Sequence, residues 1–550
     1  MNRKTIGIGI ALTIVLLVIH LLIMDSYGLT WDFHHHFFAG LELLGQPITP
    51  DLTANLPFTQ PSPLITSKLP FGPLMSIAPV GTYLVLYKWF GIMALDNAYN
   101  IAIVLSGTAG ILILYLFLLE AFGLSTAIAG FAFIAFLPRY FGDLHNNMKD
   151  VPQAAAFTLA IWMFWRLVRY QRVKDLLLAS IAFAIAFNTK VNTLLVPIIA
   201  AVWWAVSNKK AHTVFSIIHN SRFIILYFLT APLAALTLWS LFWRHPIEQL
   251  LYIPRFFIDN TQNIEVLING AWYCSGVNVP WYYPLWYLTI TTPLPILLFF
   301  LIGLMGLMSQ MRYMKKNSTG LLLLLWFILP IVRYAFPRMG VIDGIRHFEE
   351  VVFPLSAIAA VGASRVFVSL SRSLLKRNVN TNTAVGINTF LFLLLSFLLI
   401  IPIIRYHPFQ ISYYNELVGG ITGATGKYDI DYWGGPQKQA IRWLNATAPK
   451  DAVVHIVMAA DVAGLYLRPD LRAKLNTTGY DAADFVVVLN RQGFFYRYEY
   501  LWEYILRAKA AYVVGTGGVP IVWVFENKRG QIPREKEWWQ GQSPCIRRYW

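Results

Sequence analysis

Long apolar runs, broken by short polar segments, fill most of this sequence. The first covers 5–24, behind Arg3 and Lys4. Others lie near 71–94, 98–119, 125–138, 151–168, 175–189, 192–206, 223–243, 285–308, 320–336, 349–370 and 386–404. A helix of roughly 20 apolar residues crosses a hydrocarbon core about 30 Å thick. The pattern predicts a polytopic α-helical membrane protein. Between the first two runs, 25–70 is polar and proline-containing, with an amphipathic helix expected over 33–44.

Basic residues orient these runs. Arg166, Arg169, Arg172 and Lys174 form one basic segment, and Lys209, Lys210 and Arg222 a second. Arg312, Lys315 and Lys316 form a third, and Arg372, Lys376 and Arg377 a fourth. Lys and Arg gather in cytoplasmic loops. With all four inside, every helix from 151 onward alternates, and 138–150, 244–284, 337–350 and the C-terminal region fall outside. The first run is too long for a signal peptide and no small-residue cleavage site follows, so it reads as an uncleaved helix with its N-terminus inside. One conflict arises. An even number of crossings must separate the outer loop after the first run from 138–150, yet three apolar runs lie between them. Either one is re-entrant or interfacial, or two are misdivided. An odd total is required, so about 11 to 13 helices are expected.

Beyond 405 the period changes. The β-like runs 452–458, 484–490 and 510–525 alternate with helical patterns such as PQKQAIRWLNA and FYRYEYLWEYILRA. This predicts two units: a transmembrane domain over 1–405 and a soluble extracytoplasmic α/β domain over 406–550. GTGG at 515–518 lies between two strand-like runs with no helix behind it, so it reads as a hairpin turn rather than a phosphate loop.

Composition agrees with the pattern. Hydrophobic residues make up 57% and charged residues 13%, against about 25% charged in soluble domains. Mean hydropathy is +0.53. The net charge of +16 reads as topology-setting loops rather than a nucleic-acid surface. Aromatics at 15% suit interfacial belts. Cys274 and Cys545 have no metal-type spacing. They could pair if both lie outside, but two unrelated thiols are the expectation.

Ionisable groups at membrane depth are costly and mark functional candidates. On the topology above they converge on the outer face. Asp32 and His34 to His36 lie in TWDFHHHFFAG, and His145, Asn146, Asn147, Lys149 and Asp150 in HNNMKD. Lys190 lies in a tight turn, and Asp343, Arg346 and His347 in the last loop before a helix. This set offers an acid able to act as a general base and cations able to hold a phosphate. Each has a plainer reading. Asp32 could cap the helix beginning at Phe33. Lys149 and Asp150 could open a helix, Lys190 could snorkel, and Arg346 could set topology. Successive histidines on a helix point about 100° apart and cannot all serve one ion. Asp32 with His36 leaves a two-ligand metal pairing open.

The acid just after the first helix, the amphipathic outer loop and the later Lys-Asp at a helix start resemble the GT-C glycosyltransferases. The resemblance is to the group of protein O-mannosyltransferases and lipid A aminoarabinose transferases. HNNMKDVPQAAAF, VIDGIRHFEEVVFPLSAIAA and YYNELVGGITGATGKYDIDYWG carry it. Where those relatives often have Asp-Glu after the first helix, this chain has Asp32-Phe33. The resemblance implies inverting transfer of one monosaccharide from a polyprenyl-phosphate donor to a hydroxyl of a protein, lipid or glycan. Asp32 would be the base. Lys149, Lys190, Arg346 and His347 would hold the donor phosphate, with His36, His145, Asn147, Asp150 and Asp343 in support. No cofactor and no metal are implied, with a divalent ion left open. A lipid-borne donor also needs no nucleotide site, and no P-loop or Rossmann fingerprint is found. The expected location is a bacterial or archaeal cytoplasmic membrane. Two other classes compete: a flippase for lipid-linked sugars, for which repeated halves and broken mid-membrane helices are missing, and an envelope binding protein, for which so many helices are excessive.

Overall fold

A computed structural model describes residues 2–48, 71–207, 214–243, 245–260, 263–311, 319–336, 338–527, 530–533 and 545. The basic residues Lys209, Lys210, Arg312, Lys315 and Lys316 lie outside them, as does the second half of the loop 25–70.

The helical part is a bundle with two distinct ends. Helix α1 (Arg3–Ile23) is followed by a short α2 (Phe33–Leu43) and by α3 (Leu74–Tyr83), which continues as a π turn to Trp89. Helix α4 (Leu95–Phe122) runs antiparallel to α1. Asn97 Nδ2 donates to Asp25 Oδ1 at 3.3 Å at one end, and Tyr115 OH to the Thr5 carbonyl at 2.7 Å at the other. Gly123, at φ +96°, reverses the chain into α5 (Leu124–Ala135). After the short α6 (Pro138–Asp143) come α7 (Asp150–Tyr170), α8 (Val173–Phe187), α9 (Leu195–Ser207) and α10 (Val214–Thr237). Then follow α11 (Pro246–Asn260) and α12 (Tyr283–Thr291), and the last long helices α13 (Leu294–Met311), α14 (Thr319–Val332), α15 (Val352–Lys376) and α16 (Thr381–Arg405). Five segments are long and apolar enough to cross a membrane by length and composition, Arg3–Ser26, Leu95–Phe122, Asp150–Tyr170, Arg346–Lys376 and Thr381–Arg405. The chain is an integral membrane protein.

The expected run 71–94 does not traverse the bundle. Phe71, at its start, packs 5.3 Å from His36 and lies under Lys149. Tyr83, at its end, packs 4.9 Å from Phe37 of the same short helix. A Cβ on Gly40 would lie 2.2 Å from the Ser76 carbonyl, so α2 and α3 touch backbone to backbone. Both ends of α3 therefore lie at one end of the bundle. This removes one of three crossings and resolves the parity conflict. Apolar composition could not reveal it, because α3 buries its apolar face on α2 and α4 much as a spanning helix would. Deeper in the bundle, Gly303 and Gly362 bring α13 and α15 equally close: a Cβ there would lie 2.0 and 2.1 Å from carbonyl oxygens.

The C-terminal region carries a four-stranded sheet of order β3-β4-β6-β5. Its strands are β3 (Val454–Ile456), β4 (Phe485–Leu489), β5 (Tyr512–Thr516) and β6 (Val519–Glu526). β3 and β4 pair in parallel and the rest antiparallel. Every position of β4 is buried. Gly517 and Gly518 take φ +58° and +78° in the β5–β6 turn, so GTGG is the hairpin expected. Lys438, on α17 (Gln437–Thr447), fastens this region to the bundle: its Nζ donates to Asp96 Oδ2 at 2.6 Å and to the Asp25 carbonyl at 2.8 Å.

The two cysteines do not remain separate thiols. Cys274, at the end of β2 (Ala271–Cys274), forms a disulfide with Cys545, 271 residues away. Sequence spacing held no signal for this, because only the fold brings the chain end to the β1 (Glu265–Ile268)–β2 hairpin.

Candidate active site

Segments from both the helical part and the C-terminal region meet at the end of the bundle where α1 finishes, and they enclose a cleft of about 500 Å³. Asp32 opens α2, but its carboxylate makes no cap hydrogen bond. The capping explanation therefore fails. The preceding strand of chain is pinned from both sides. Asn146 Nδ2 donates to the Gly28 carbonyl at 2.9 Å, and the Trp31 N–H donates to the Trp433 carbonyl at 3.0 Å. So held, Asp32 Oδ2 accepts from Arg346 Nη2 at 2.6 Å and lies 3.1 Å from Lys149 Nζ.

Arg346 is the hub. Its Nη1 donates to Asp343 Oδ2 at 2.8 Å, and its Nε lies 3.4 Å from Asp150 Oδ2. The Trp433 ring covers it at 4.8 Å. That indole is presented by a turn in which Asp431 Oδ1 accepts from the Trp433 and Gly434 N–H groups at 2.9 and 2.8 Å. Asp343 sits at φ +56° before Gly344 at +65°, a left-handed pair that Asp and Gly tolerate well. Asp150 starts α7 but is itself capped, since Asn147 Oδ1 accepts its N–H at 2.9 Å. Its carboxylate instead takes Lys190 Nζ at 2.6 Å.

Of the residues expected from the sequence, Asp32, Lys149, Lys190, Arg346, His347, His36 and Asp343 all line this cleft. Asp150 lies behind Lys190 and Arg346, and Asn147 supports from the helix start. His145 departs from expectation: it faces away. It stacks on Tyr27 at 3.7 Å and bonds His20 at 3.1 Å, because the turn after α6 points its ring toward α1. The three adjacent histidines diverge. His34 bonds Asp461 at 3.2 Å, His35 lines the cleft, and His36 turns Nδ1 to Ser76 Oγ at 3.2 Å. Among the described residues no three His, Cys, Asp or Glu side chains converge to hold a metal ion.

The sequence reading missed the wall built by the C-terminal region. Tyr432, Trp433, Arg491, Phe494 and Arg497 all line the cleft, facing Trp31. Arg491 lies two residues beyond the end of β4, so the C-terminal end of a core strand aims it at the site. The traces in the sequence are the Arg- and aromatic-rich run RQGFFYRYEY and, for Tyr432 and Trp433, the stretch YYNELVGGITGATGKYDIDYWG. Arg333, from the end of α14, was also missed; it bonds the His347 carbonyl and lies 3.2 Å from Glu350.

In total, six Lys and Arg side chains and two Asp line the cleft, which makes it strongly cationic. Burial by itself would raise the Asp32 pKa, but Lys149 and Arg346 outweigh it and hold the carboxyl well below the usual range. Burial lowers the Lys149 pKa and Asp32 opposes that shift. Burial lowers His36 well below its ordinary value, with Lys149 adding to the effect, so its ring is neutral at pH 7.

Comparison with known proteins gives one family match and several distant structural likenesses. The model of the dolichyl-phosphate-mannose-protein mannosyltransferase family matches residues 79–239, which include Lys149, Asp150 and Lys190. That match covers less than a third of the chain. Asp32, Arg346 and Arg491 lie outside the matched residues. No protein of curated function matches by sequence. Two solved GT-C structures are similar in outline. ArnT from Cupriavidus metallidurans, bound to undecaprenyl phosphate, is 13% identical, with 98% of this chain and 100% of that one covered and a TM-score of 0.47. The oligosaccharyltransferase AglB from Archaeoglobus fulgidus, with an inhibitory peptide and a dolichol-phosphate, is 13% identical, with 87% and 69% covered and a TM-score of 0.42.

Proposed function

We propose that this chain is a GT-C glycosyltransferase, which transfers a monosaccharide from a polyprenyl-phosphate donor to an acceptor hydroxyl at the outer end of its bundle, with inversion. One observation carries the reading: a single carboxylate, Asp32, lies within 3.1 Å of two cations in a cleft lined by six. The matched family is named for a dolichyl-phosphate-linked sugar, which suits a cleft at a membrane surface, where the donor's tail can stay in lipid. The leaving group is then a lipid phosphate, whose developing charge needs fixed cations. Lys149 and Arg346 would bind it, with Lys190, Arg333 and His347 at the same wall.

The ion pairs give this reading a sequence of events. A carboxylate held by two cations is a weak base. A donor phosphate competes for the same two cations. As it takes them, Asp32 loses its partners, its pKa rises, and it can accept the acceptor hydroxyl's proton from the face of the sugar opposite the phosphate. Oxygen then attacks the anomeric carbon and the bond to phosphate breaks.

The test is transfer by the purified full chain in liposomes, using a panel of radiolabelled polyprenyl-phosphate sugars and an extract of envelope acceptors. Label should move covalently to an acceptor, and Asp32→Asn should reduce that by roughly 100-fold or more. Undiminished turnover by Asp32→Asn would remove it as the base. Label that crosses the bilayer without a new bond would instead indicate a flippase.

A further inference from the structure

The acids and cations of the cleft form a line that extends into the C-terminal region. Arg491 Nη2 donates to Asp343 Oδ1 at 2.7 Å, across 148 residues of sequence. The other oxygen of Asp343 takes Arg346 Nη1 at 2.8 Å, and Arg346 Nη2 takes Asp32 at 2.6 Å. Arg491 is itself fixed. Its Nη1 donates to the Tyr432 carbonyl at 2.9 Å, and its guanidinium lies 3.8 Å from the Phe494 ring centre and 5.4 Å from that of Trp31.

We propose that Arg491 is a positioning residue for Asp32, acting through Asp343 and Arg346. This rests on the transfer reading above and gives the C-terminal region a part in it. Asp343 is 4% exposed, so its charge must be met by protein. Each of its oxygens now takes one guanidinium. Without Arg491 the one cation still bonded to Asp343 among the described residues is Arg346, which can meet both oxygens by turning its fork onto Asp343. That turn withdraws Nη2 from Asp32. Arg491 thus keeps Asp343 from monopolising Arg346, and so keeps the base and its phosphate-binding partner in register.

The test uses the full chain and the variants Arg491→Ala, Arg491→Lys, Asp343→Asn and Arg491→Ala/Asp343→Asn. Arg491→Ala should lower kcat on the order of 100-fold, the usual cost of misplacing a reacting group by about 1 Å, with the donor KM within about threefold. Arg491→Lys should recover part of the loss. Asp343→Asn removes the charge that pulls Arg346 away, so the double variant should be more active than Arg491→Ala alone. The acid limb of kcat/KM should move to higher pH in Arg491→Ala. Asp32 is faced by Lys149, Arg346, His35, His36 and Tyr99, and of these only Arg346 is displaced. A higher KM at unchanged kcat would mean that Arg491 touches substrate, and a double variant no better than the single would remove Asp343 as the intermediary; either overturns the proposal. If the wild type moves no sugar, the transfer reading fails alone, and the inference is judged by unfolding temperature. Arg491→Ala and Asp32→Asn should then shift the midpoint non-additively, although the two side chains do not bond each other, and should become additive in the Asp343→Asn background. Additivity in both backgrounds overturns it.

Discussion

Replacing Arg346 by lysine keeps the charge at the centre of the site and removes only the fork. The guanidinium bonds Asp32 at 2.6 Å and Asp343 at 2.8 Å, approaches Asp150 at 3.4 Å, and lies under Trp433. A single ammonium cannot serve Asp32 and Asp343 in those geometries and also stack as a plane on the indole. No acid is orphaned, since Asp32 keeps Lys149, Asp150 keeps Lys190 and Asp343 keeps Arg491. The loss is therefore one to two charge-assisted hydrogen bonds, at about 1.5–3 kcal/mol each. Taking about 3 kcal/mol as the central value gives roughly 100-fold in kcat/KM. Initial rates of sugar transfer for Arg346→Lys, normalised to folded protein by size-exclusion profile, provide the measurement. A rate within threefold of wild type would show that Arg346 acts only as a positive charge, and the account of it as the hub would be wrong.

Further outcomes follow from the same geometry. The folded-state pKa of Asp32 is depressed, so its ion pairs contribute stability above about pH 4, the ordinary Asp value, and lose it as pH falls through the lower folded value. Accordingly kcat/KM should show no inflection from Asp32 between about pH 5 and 7, while the acid limb of kcat, which reports the donor-bound state, should lie at higher pH. An inflection of kcat/KM near pH 6.5, the ordinary histidine value, would move the base to a histidine. Cys545→Ser should break the tie to β2 and lower the unfolding temperature, consistent with about 2–4 kcal/mol for a native disulfide. An unchanged midpoint, or a free thiol at Cys274 in the wild type by alkylation, would refute the pairing.

The candidate site was partly legible because costly residues are conspicuous in an apolar sequence. Asp32, Lys149, Lys190 and Arg346 stand out wherever a run of Leu, Ile and Phe is interrupted, and all four reach one cleft. Arg491 and Trp433 were not legible. They lie in a soluble-type region where Arg and Trp are unremarkable, and only the placement of β4 and of the Asp431 turn aims them at the bundle. His145 shows the converse: it is conspicuous in sequence and close to Lys149, yet the turn after α6 sends it to His20.

By itself the sequence determined the class of the molecule: apolar period and length impose a helical bundle in lipid, and alternating runs impose the C-terminal sheet. These are local properties, each settled by the free energy of a segment of roughly 20 residues or fewer in water or lipid. Tertiary structure decided that 71–94 stays at one end of the bundle, that Cys274 meets Cys545, and which acid holds which cation. Such contacts join residues 40 to 314 positions apart. Their energies depend on distance and burial, which no local pattern encodes.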